Sequence, residues 1–294
     1  MMSVNHFKWG FCVVLLLAIC LDTAASVHGW SNGGYSSDPG NPDHGTHDWV
    51  ADAALQLQTK DVAFLKTTFH SQYLLGTEAP DNAHYIGDSG SHHVYYHANG
   101  ILQDDSCAER AAAIYDSALQ YLKAKDFEHA SFEMGTMAHY ISDVGVFGHT
   151  MGSATDWGSE THHSDYEDHM NTVASSMDFP ASLPLGNKDA YNATLDLAHD
   201  ITFGNGTLPG IWSNVRMDDI YDWNNRSFAA SASSSLNESA MTVASAINHL
   251  LIEAGLPAQS PPPQADNSDI AIILGGAIAG GSALAIAIHW RRKR

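Results

Sequence analysis

Two histidine–carboxylate pairs at helical spacing constrain this chain more than any other feature of its sequence. His139 precedes Asp143 by four positions, and His163 precedes Glu167 by four positions. Residues four apart on an α-helix lie about 40° apart on one face, so each pair presents an imidazole beside a carboxylate. Zinc accepts such mixed nitrogen and oxygen ligands. One pair alone is equally compatible with a helix-surface ion pair, but both pairs with His149 between them indicate a metal centre.

Helical patterns dominate the rest of the chain, and strand-like alternation is scarce. Apolar residues at helical spacing predict the helices 47–57, 61–75, 106–124, 126–144, 158–176, 195–203 and 227–255. The helix at 158–176 is expected to start loosely and to become ordered by His163. We expect Thr46 to cap the first helix and Gly76 to close the second. Long loops are predicted at 77–105 and 177–192. The sequence therefore predicts an all-α, multi-helix bundle with a metal site between helices.

The N-terminal residues have the pattern of a secretory signal peptide. A weakly basic start is followed by an apolar run at 11–21 and then by small residues. Cleavage after Ala25 and cleavage after Gly29 are both allowed, and the second would make Trp30 the first residue of the mature chain. We predict a signal peptide at 1–29. An N-terminal membrane anchor is the alternative, although the run is short for a span.

A second apolar segment lies near the C-terminus. Residues 270–290 are rich in Ile, Ala, Leu and Gly, and the basic tail 291–294 follows. Such a helix rises about 1.5 Å per residue and is long enough to span a bilayer, with its basic tail on the cytoplasmic side. The polar, proline-rich segment 256–269 predicts an extended stalk. A cleaved lipid-anchor signal is disfavoured by the basic end. We expect a single-pass protein of the cell membrane with its domain, 30–255, outside the cell.

The predicted extracellular part is acidic and poor in cysteine. Cys107 is the one cysteine beyond the signal region, so the domain has no internal disulfide to form and depends on packing or metal. Residues 30–268 carry 8 Lys and Arg against 31 Asp and Glu, a balance of −23 without histidine. This charge repels nucleic acid, so we expect no nucleic-acid partner. Four sequons predict a glycosylated surface, at Asn192, Asn205, Asn225 and Asn237.

The order and spacing of the metal-binding residues resemble the zinc-dependent phospholipase C family. The sequence His139-Tyr-Ile-Ser-Asp143, then His149, then His163-Ser-Asp-Tyr-Glu167 is similar to the pattern His-x3-Asp-x5-His-x13-His-x3-Glu of bacterial members. The related single-strand-specific nucleases resemble the chain less, because their last gap is longer and ends in Asp. The N-terminal domain of the glycosylphosphatidylinositol-specific phospholipase D also resembles the stretch 139–152. The C-terminal lipid-binding domain of the clostridial members has no counterpart in the sequence.

The resemblance extends to the N-terminal half of the chain. Members begin their mature chain with a tryptophan that binds zinc, which is the position Trp30 would take. A Gly-Thr-His that opens their first helix is matched here by the one ending at His47, and a Pro-Asp in a loop by the one ending at Asp81. A histidine follows further along that loop, where the candidates are His92, His93 and His97. His93 has the best spacing and is our choice.

The resemblance implies three zinc ions and a hydrolytic activity. The ligands that it implies for the first ion are Asp81, His93, His139 and Asp143. Those for the second are Trp30, His47 and Asp143, with Asp143 bridging the two. Those for the third, which is left open for water and substrate, are His149, His163 and Glu167. The implied reaction is in-line hydrolysis of a phosphodiester, with a phospholipid as the expected substrate and Asp81 also as general base.

Two other functions are compatible with these residues. A nuclease or nucleotide phosphodiesterase of the same fold is one, although the acidic balance and the short final gap count against it. A non-catalytic, zinc-stabilised surface domain is the other, although the chain retains a full set of candidate ligands.

Overall fold

The structure is a computed structural model, and it describes residues 44–82, 84–88, 90–177, 179 and 185–256. The predicted signal peptide, Trp30, nearly all of the stalk and the apolar segment 270–290 lie outside these residues, so the predictions made for them stand as predictions. Among the residues that are described, no helix combines the length and the apolar character needed to cross a membrane.

Helices make up most of the described chain, and their order follows the prediction closely. The α-helices are α1 (Thr46–Gln56), α2 (Ala63–Lys66), α3 (His70–Glu78), α4 (Ser106–Ala124), α5 (Phe127–Asp143), α6 (His163–Val173), α7 (Ala190–Phe203), α8 (Asn214–Asp219) and α9 (Arg226–Glu253). Short 3-10 helices are formed by Phe147–Thr150 and Ala174–Ser176. One small antiparallel hairpin pairs β1 (Tyr95–Tyr96) with β2 (Leu102–Asp104) within the loop predicted at 77–105. The predicted multi-helix bundle is confirmed, with this hairpin as an addition.

Helix α5 lies at the centre of the bundle, against α3 on one side and α4 on the other. Its approach to α3 is set by two glycines that face each other. A Cβ atom on Gly135 would lie 1.9 Å from the carbonyl oxygen of Tyr73, and one on Gly76 would lie 2.1 Å from that of Phe132. Gly76 therefore lies inside α3 as a contact point. The prediction that Gly76 closes a helix is wrong, because the requirement at this position is close packing.

Several helix ends differ from the predicted ones because side chains cap the backbone locally. Gly45, and not Thr46, is the N-cap of α1, and its N–H donates to the Asp48 carboxylate at 3.0 Å. The predicted helix 61–75 is interrupted by a turn at Thr67–Phe69. Helix α7 starts at residue 190, earlier than predicted, because the Asp189 carboxylate accepts from the N–H of Asn192.

The sequons and the cysteine occupy different environments. Asn237 is buried within α9, whereas Asn192 and Asn205 are exposed. Cys107 is buried and free, and its thiol donates to the carbonyl of Tyr140 on α5. The Asn192 and Asn205 sequons are therefore accessible from solvent, and Cys107 is part of the packed interior.

Candidate metal centre

The last turn of α5 brings the first predicted pair together. The side chains of His139 and Asp143 are both fully buried, and His139 Nε2 lies 3.2 Å from Asp143 Oδ2. Burying a carboxylate is costly unless a cation or hydrogen-bond donors face it. The end of α5 therefore carries a buried carboxylate, and nearby groups must offset the cost of burying its charge.

Three further side chains converge on this pair from other segments. We call the cluster site A and define it as His47, Asp81, His92, His139 and Asp143. Imidazole atoms approach Asp143 closely, with His47 Nε2 at 3.2 Å from Oδ1 and His92 Nδ1 at 2.6 Å from Oδ2. Asp81 Oδ1 lies 3.7 Å from His139 Nε2. The potential ligand atoms of His47, Asp81 and His139 lie within 4.8 Å of one another, as do those of His92, His139 and Asp143.

The far side of each ring in site A is held by a fixed acceptor. His139 Nδ1 lies 2.7 Å from the carbonyl oxygen of Thr77, and His92 Nε2 lies 2.6 Å from that of Asp88. Since a carbonyl oxygen only accepts, these ring nitrogens carry the protons. His47 Nδ1 donates to Ser142 Oγ at 2.8 Å, because that hydroxyl donates its own proton to the His139 carbonyl. Metal-binding histidines are oriented in this way.

Several buried polar atoms of site A lie close to one another without forming hydrogen bonds. His47 Nε2, His139 Nε2 and Asp143 Oδ1 are buried, and none makes a hydrogen bond within the described part of the chain, although they approach other atoms of the cluster to 3.2 Å. Leaving such atoms unsatisfied is costly. A cation among them would remove that cost, so the residues of site A fit zinc.

The electrostatics of site A differ between its rings. Burial and the neighbouring His139 lower the pKa of His47 to about 4, so this ring is neutral at pH 7. Burial alone would raise the pKa of Asp143, but His139 and His92 outweigh it and lower that pKa well below its usual value. Burial opposes the charge on His92 and His139, but Asp143 outweighs it, which raises the pKa of His92 to about 9 and that of His139 above its usual value. Metal binding at these two rings would therefore displace protons, whereas His47 and Asp143 already have the protonation states that zinc requires.

The second predicted pair joins His149 in a separate cluster. We call this cluster site B and define it as His149, His163 and Glu167. His163 Nε2 lies 2.8 Å from Glu167 Oε1 and 3.3 Å from His149 Nε2, and His149 Nε2 lies 3.5 Å from the same carboxylate oxygen. Gly148 allows this approach, because a Cβ atom there would lie 2.4 Å from Cγ of His163. Three buried ligand-type atoms thus meet at one point.

Two carboxylates lie at the N-terminal end of α6: Glu160 faces the His163 ring, and Asp218 binds the preceding backbone. Glu160 Oε1 lies 3.6 Å from His163 Nδ1, on the far side of the ring from Glu167. Burial opposes the charge on His163, but Glu167 and Glu160 raise its pKa to about 10, while burial raises the pKa of Glu167 to about 8. Asp218 accepts from the backbone N–H groups of Thr161 and His162. The helix predicted at 158–176 thus begins at His163, the residue by which it was expected to become ordered, and Asp218 holds the segment before it.

Comparison with known proteins bears on the fold. The structure is similar to that of the alpha-toxin from Clostridium absonum, with a TM-score of 0.52 and 12% sequence identity, over 71% of this chain and 63% of the toxin. The alpha-toxin from an avian strain of Clostridium perfringens matches with a TM-score of 0.49 and 15% identity over the same shares. The chain thus spans less than two thirds of the length of these toxins. No family model and no curated protein matches the sequence.

The chain has the fold of the zinc phospholipase C family. The predicted resemblance is therefore confirmed for the architecture. At 12% identity the likeness shows the fold alone, so activity, substrate and ligand roles follow as proposals from the residues of this chain.

Within this fold, the loop histidine that faces Asp143 differs from the expected one. His92 takes that place, and the ring of His93 lies on the side of site B, 5.0 Å from the ring of His149. His97 is 43% exposed and pairs with Asp156. Neighbouring residues in an extended segment point to opposite sides. Among the described side chains, His92 and not His93 contacts Asp143, while the choice of His93 as a zinc ligand stays a prediction.

Sequence reasoning also missed the groups that orient the ligands. The acceptors at Thr77 and Asp88 are backbone carbonyls, which carry no residue-type signal. Ser142 and Glu160 do carry one, because each lies three positions or fewer from a predicted ligand. A search for hydrogen-bonding side chains flanking each ligand would have found these two.

Proposed function

We propose that this chain is a zinc-dependent phosphodiester hydrolase of the phospholipase C type. The observation that carries the proposal is the adjacency of the two buried clusters. The ring of His92 in site A lies 6.3 Å from the ring of His149 in site B. Ligand sets this close together suit a multi-zinc centre acting on one phosphoryl group.

The proposed ligand sets follow the clusters. One ion would be held by Asp81, His92, His139 and Asp143. A second would be held by His47 and Asp143, with Trp30 as the proposed further ligand. A third would be held by His149, His163 and Glu167. Asp143, whose two oxygens face different histidines, is the proposed bridging group.

The chemistry of the proposed reaction is divided between the metal and the chain. Zinc supplies Lewis acidity, which makes water a nucleophile at neutral pH and offsets negative charge on the phosphoryl group. Asp81 is the proposed general base, as the family resemblance implies, and its buried carboxylate lies within site A, 3.7 Å from His139 Nε2. His149, His163 and Glu167 would keep the third position oriented toward the substrate.

The proposed substrate is a phospholipid, and the proposed location is the outer face of the cell membrane. The apolar segment 270–290 with its basic tail and the signal-like N-terminus support this location. The acidic balance of residues 30–268 supports a substrate other than nucleic acid.

A substrate panel tests the proposal. The zinc-loaded full-length chain in detergent is expected to hydrolyse p-nitrophenylphosphorylcholine, to lose that activity with a chelator and to regain it with zinc. Preferential cleavage of single-stranded DNA would replace the proposal by the nuclease. Bound zinc without cleavage of either substrate would replace it by the non-catalytic surface domain.

A further inference from the structure

The three histidines of site A differ in how rigidly the hydrogen-bond acceptors of their rings are held. The acceptor of the His139 ring belongs to α3 and that of the His47 ring belongs to α5, so regular helices hold both. The acceptor of the His92 ring is the carbonyl of Asp88, which lies in the segment between α3 and β1. A loop carbonyl points at its partner only if other contacts fix the loop.

Such contacts surround Asp88. Its N–H donates to the carbonyl of Pro80 at 2.7 Å, and its Oδ1 accepts from the N–H of Gly90 at 2.9 Å. Its Oδ2 accepts from the hydroxyl of Tyr140 on α5 at 3.2 Å and lies 3.5 Å from Nε of Arg110 on α4. The side-chain contacts attach the loop to the two central helices.

Arg110 joins both of the other members of this network. Its Nε donates to the Tyr140 hydroxyl at 3.3 Å, and its guanidinium carbon lies 5.6 Å from the centre of the Tyr140 ring. Both contacts involve the same Nε, so the Tyr140 hydroxyl and the Asp88 carboxylate meet the positive charge of Arg110 at one point. The network also borders site A, because the Tyr140 ring lies 5.4 Å from the ring of His92.

We propose that Arg110 is a positioning residue of the metal centre. Acting through Tyr140 and Asp88, it fixes the loop carbonyl that holds His92 Nε2, and so keeps His92 Nδ1 directed at Asp143. The inference rests on the proposed function in one respect, that the group received by site A is zinc. Among the described residues, Arg110 contacts Tyr140 and Asp88 and no ligand atom of site A, so its effect passes through the orientation of one ring.

Zinc retention tests the proposal in the loaded protein. Arg110→Met is expected to release one of the three ions at a free-zinc level about 10–100-fold higher than the wild type does, the usual effect of losing an outer partner of a ligand. Tyr140→Phe keeps the buried ring and is expected to act in the same direction. The matched control is Arg216→Met, because Arg216 also lies over an aromatic ring, at 3.8 Å from the centre of Trp212, and has no contact with either site.

The metal-free protein gives a second readout that needs neither zinc nor activity. In protein labelled with 15N-histidine, the wild type is expected to show a slowly exchanging Nε2–H signal of His92, bonded to Asp88. That signal is expected to broaden or disappear in Arg110→Met and to persist in Arg216→Met.

The outcomes separate this inference from the proposed function. A wild-type zinc curve together with an unchanged His92 signal in Arg110→Met would overturn the positioning role, whatever the activity. A wild type that hydrolyses nothing, combined with a lost signal in Arg110→Met, would overturn the proposed function and leave the positioning role intact.

Discussion

Site A draws its five side chains from three segments of the chain, namely α1, the segment between α3 and β1, and α5, whereas site B draws three side chains from two. In site A, each of the three rings has an acceptor behind it, at Ser142, Thr77 or Asp88. In site B, His163 Nδ1 faces Glu160 Oε1 at 3.6 Å, but His149 Nδ1 has no hydrogen-bond partner among the described residues.

This difference in hydrogen-bond partners indicates different roles for the two sites. A ligand held by an outer partner is preorganised and binds its ion tightly. A ligand without such a partner adapts more easily when coordination changes during a reaction. We therefore infer that, under the proposed zinc assignment, site A is the firmer part of the centre and His149 is the ligand that adapts most easily.

The largest expected effect comes from Asp143→Asn, which would break site A alone. Asp143 faces three histidines, so its charge holds the whole cluster. We expect the loss of two zinc ions, with a fall in kcat/KM that exceeds the ~100-fold upper cost of losing an outer partner. Zinc content by mass spectrometry and steady-state kinetics measure this. Asp156→Asn, an exposed carboxylate, is the control, and full zinc content in Asp143→Asn would contradict the bridging role.

His149→Ala would break site B and leave site A intact. We expect the loss of a single ion and of the hydrolytic activity, with the thermal midpoint little changed by comparison with Asp143→Asn. His169→Ala is the control, since His169 lies on the same helix as His163 and stacks on Trp223 at 3.9 Å. Release of all three ions from His149→Ala would show that the two sites do not act separately.

Variants of the adjacent loop histidines, His92 and His93, test to which site each residue belongs. His92→Ala is expected to lose an ion of site A, because His92 Nδ1 lies 2.6 Å from Asp143. His93→Ala is expected to keep all three ions, with an effect on kinetics only, since its ring lies beside His149. Zinc titration of the two variants side by side decides the assignment. The reverse pattern would restore His93 as the ligand.

Gly148→Ala tests how far site B depends on close packing. The added methyl group would displace the His163 ring, and overpacking of this kind costs about 1–3 kcal/mol. At about 2–4 °C per kcal/mol for a domain of this size, a fall of several degrees in the thermal midpoint is expected, with weaker binding of one ion. Gly90→Ala is the control, because its nearest atom lies 3.8 Å away. An unchanged midpoint would mean that the ring has room to move.

Ser142→Ala gives the smallest expected effect and tests preorganisation in site A. It removes the acceptor of His47 Nδ1 and leaves that N–H buried. We expect a loss of zinc affinity near the lower end of the ~10–100-fold range for outer partners. Ser235→Ala is the control, because Ser235 is also buried but bonds only the Gly145 carbonyl. Chelator competition measures the difference, and equal curves would remove the distinction between the sites.

Local patterns were enough to predict much of this architecture. The helix at 106–124 has its predicted bounds, and the spacing of His139 and Asp143 places both on one buried face. These features depend on neighbours in sequence, which periodicity reports directly.

Features that depend on distant neighbours were not predictable in this way. Gly76 has the pattern of a helix end, but its role is set by Gly135, which lies on another helix. The choice between His92 and His93 depends on the direction of the Asp88 carbonyl, and that direction depends on α4 and α5. A pattern along the chain carries no information about such contacts.

The convergence of three segments on site A has a thermodynamic consequence under the proposed zinc assignment. An unfolded chain does not hold these ligands together, so binding and folding are linked by mass action. Each tenfold rise of free zinc above the dissociation constant would add about 1.4 kcal/mol per ion to the free energy of unfolding. With Cys107 free and buried, such an ionic cross-link would take the place that disulfides hold in many extracellular domains. The lifetime of the protein would then follow the zinc concentration of its surroundings, and a chelator would act on it as a denaturant.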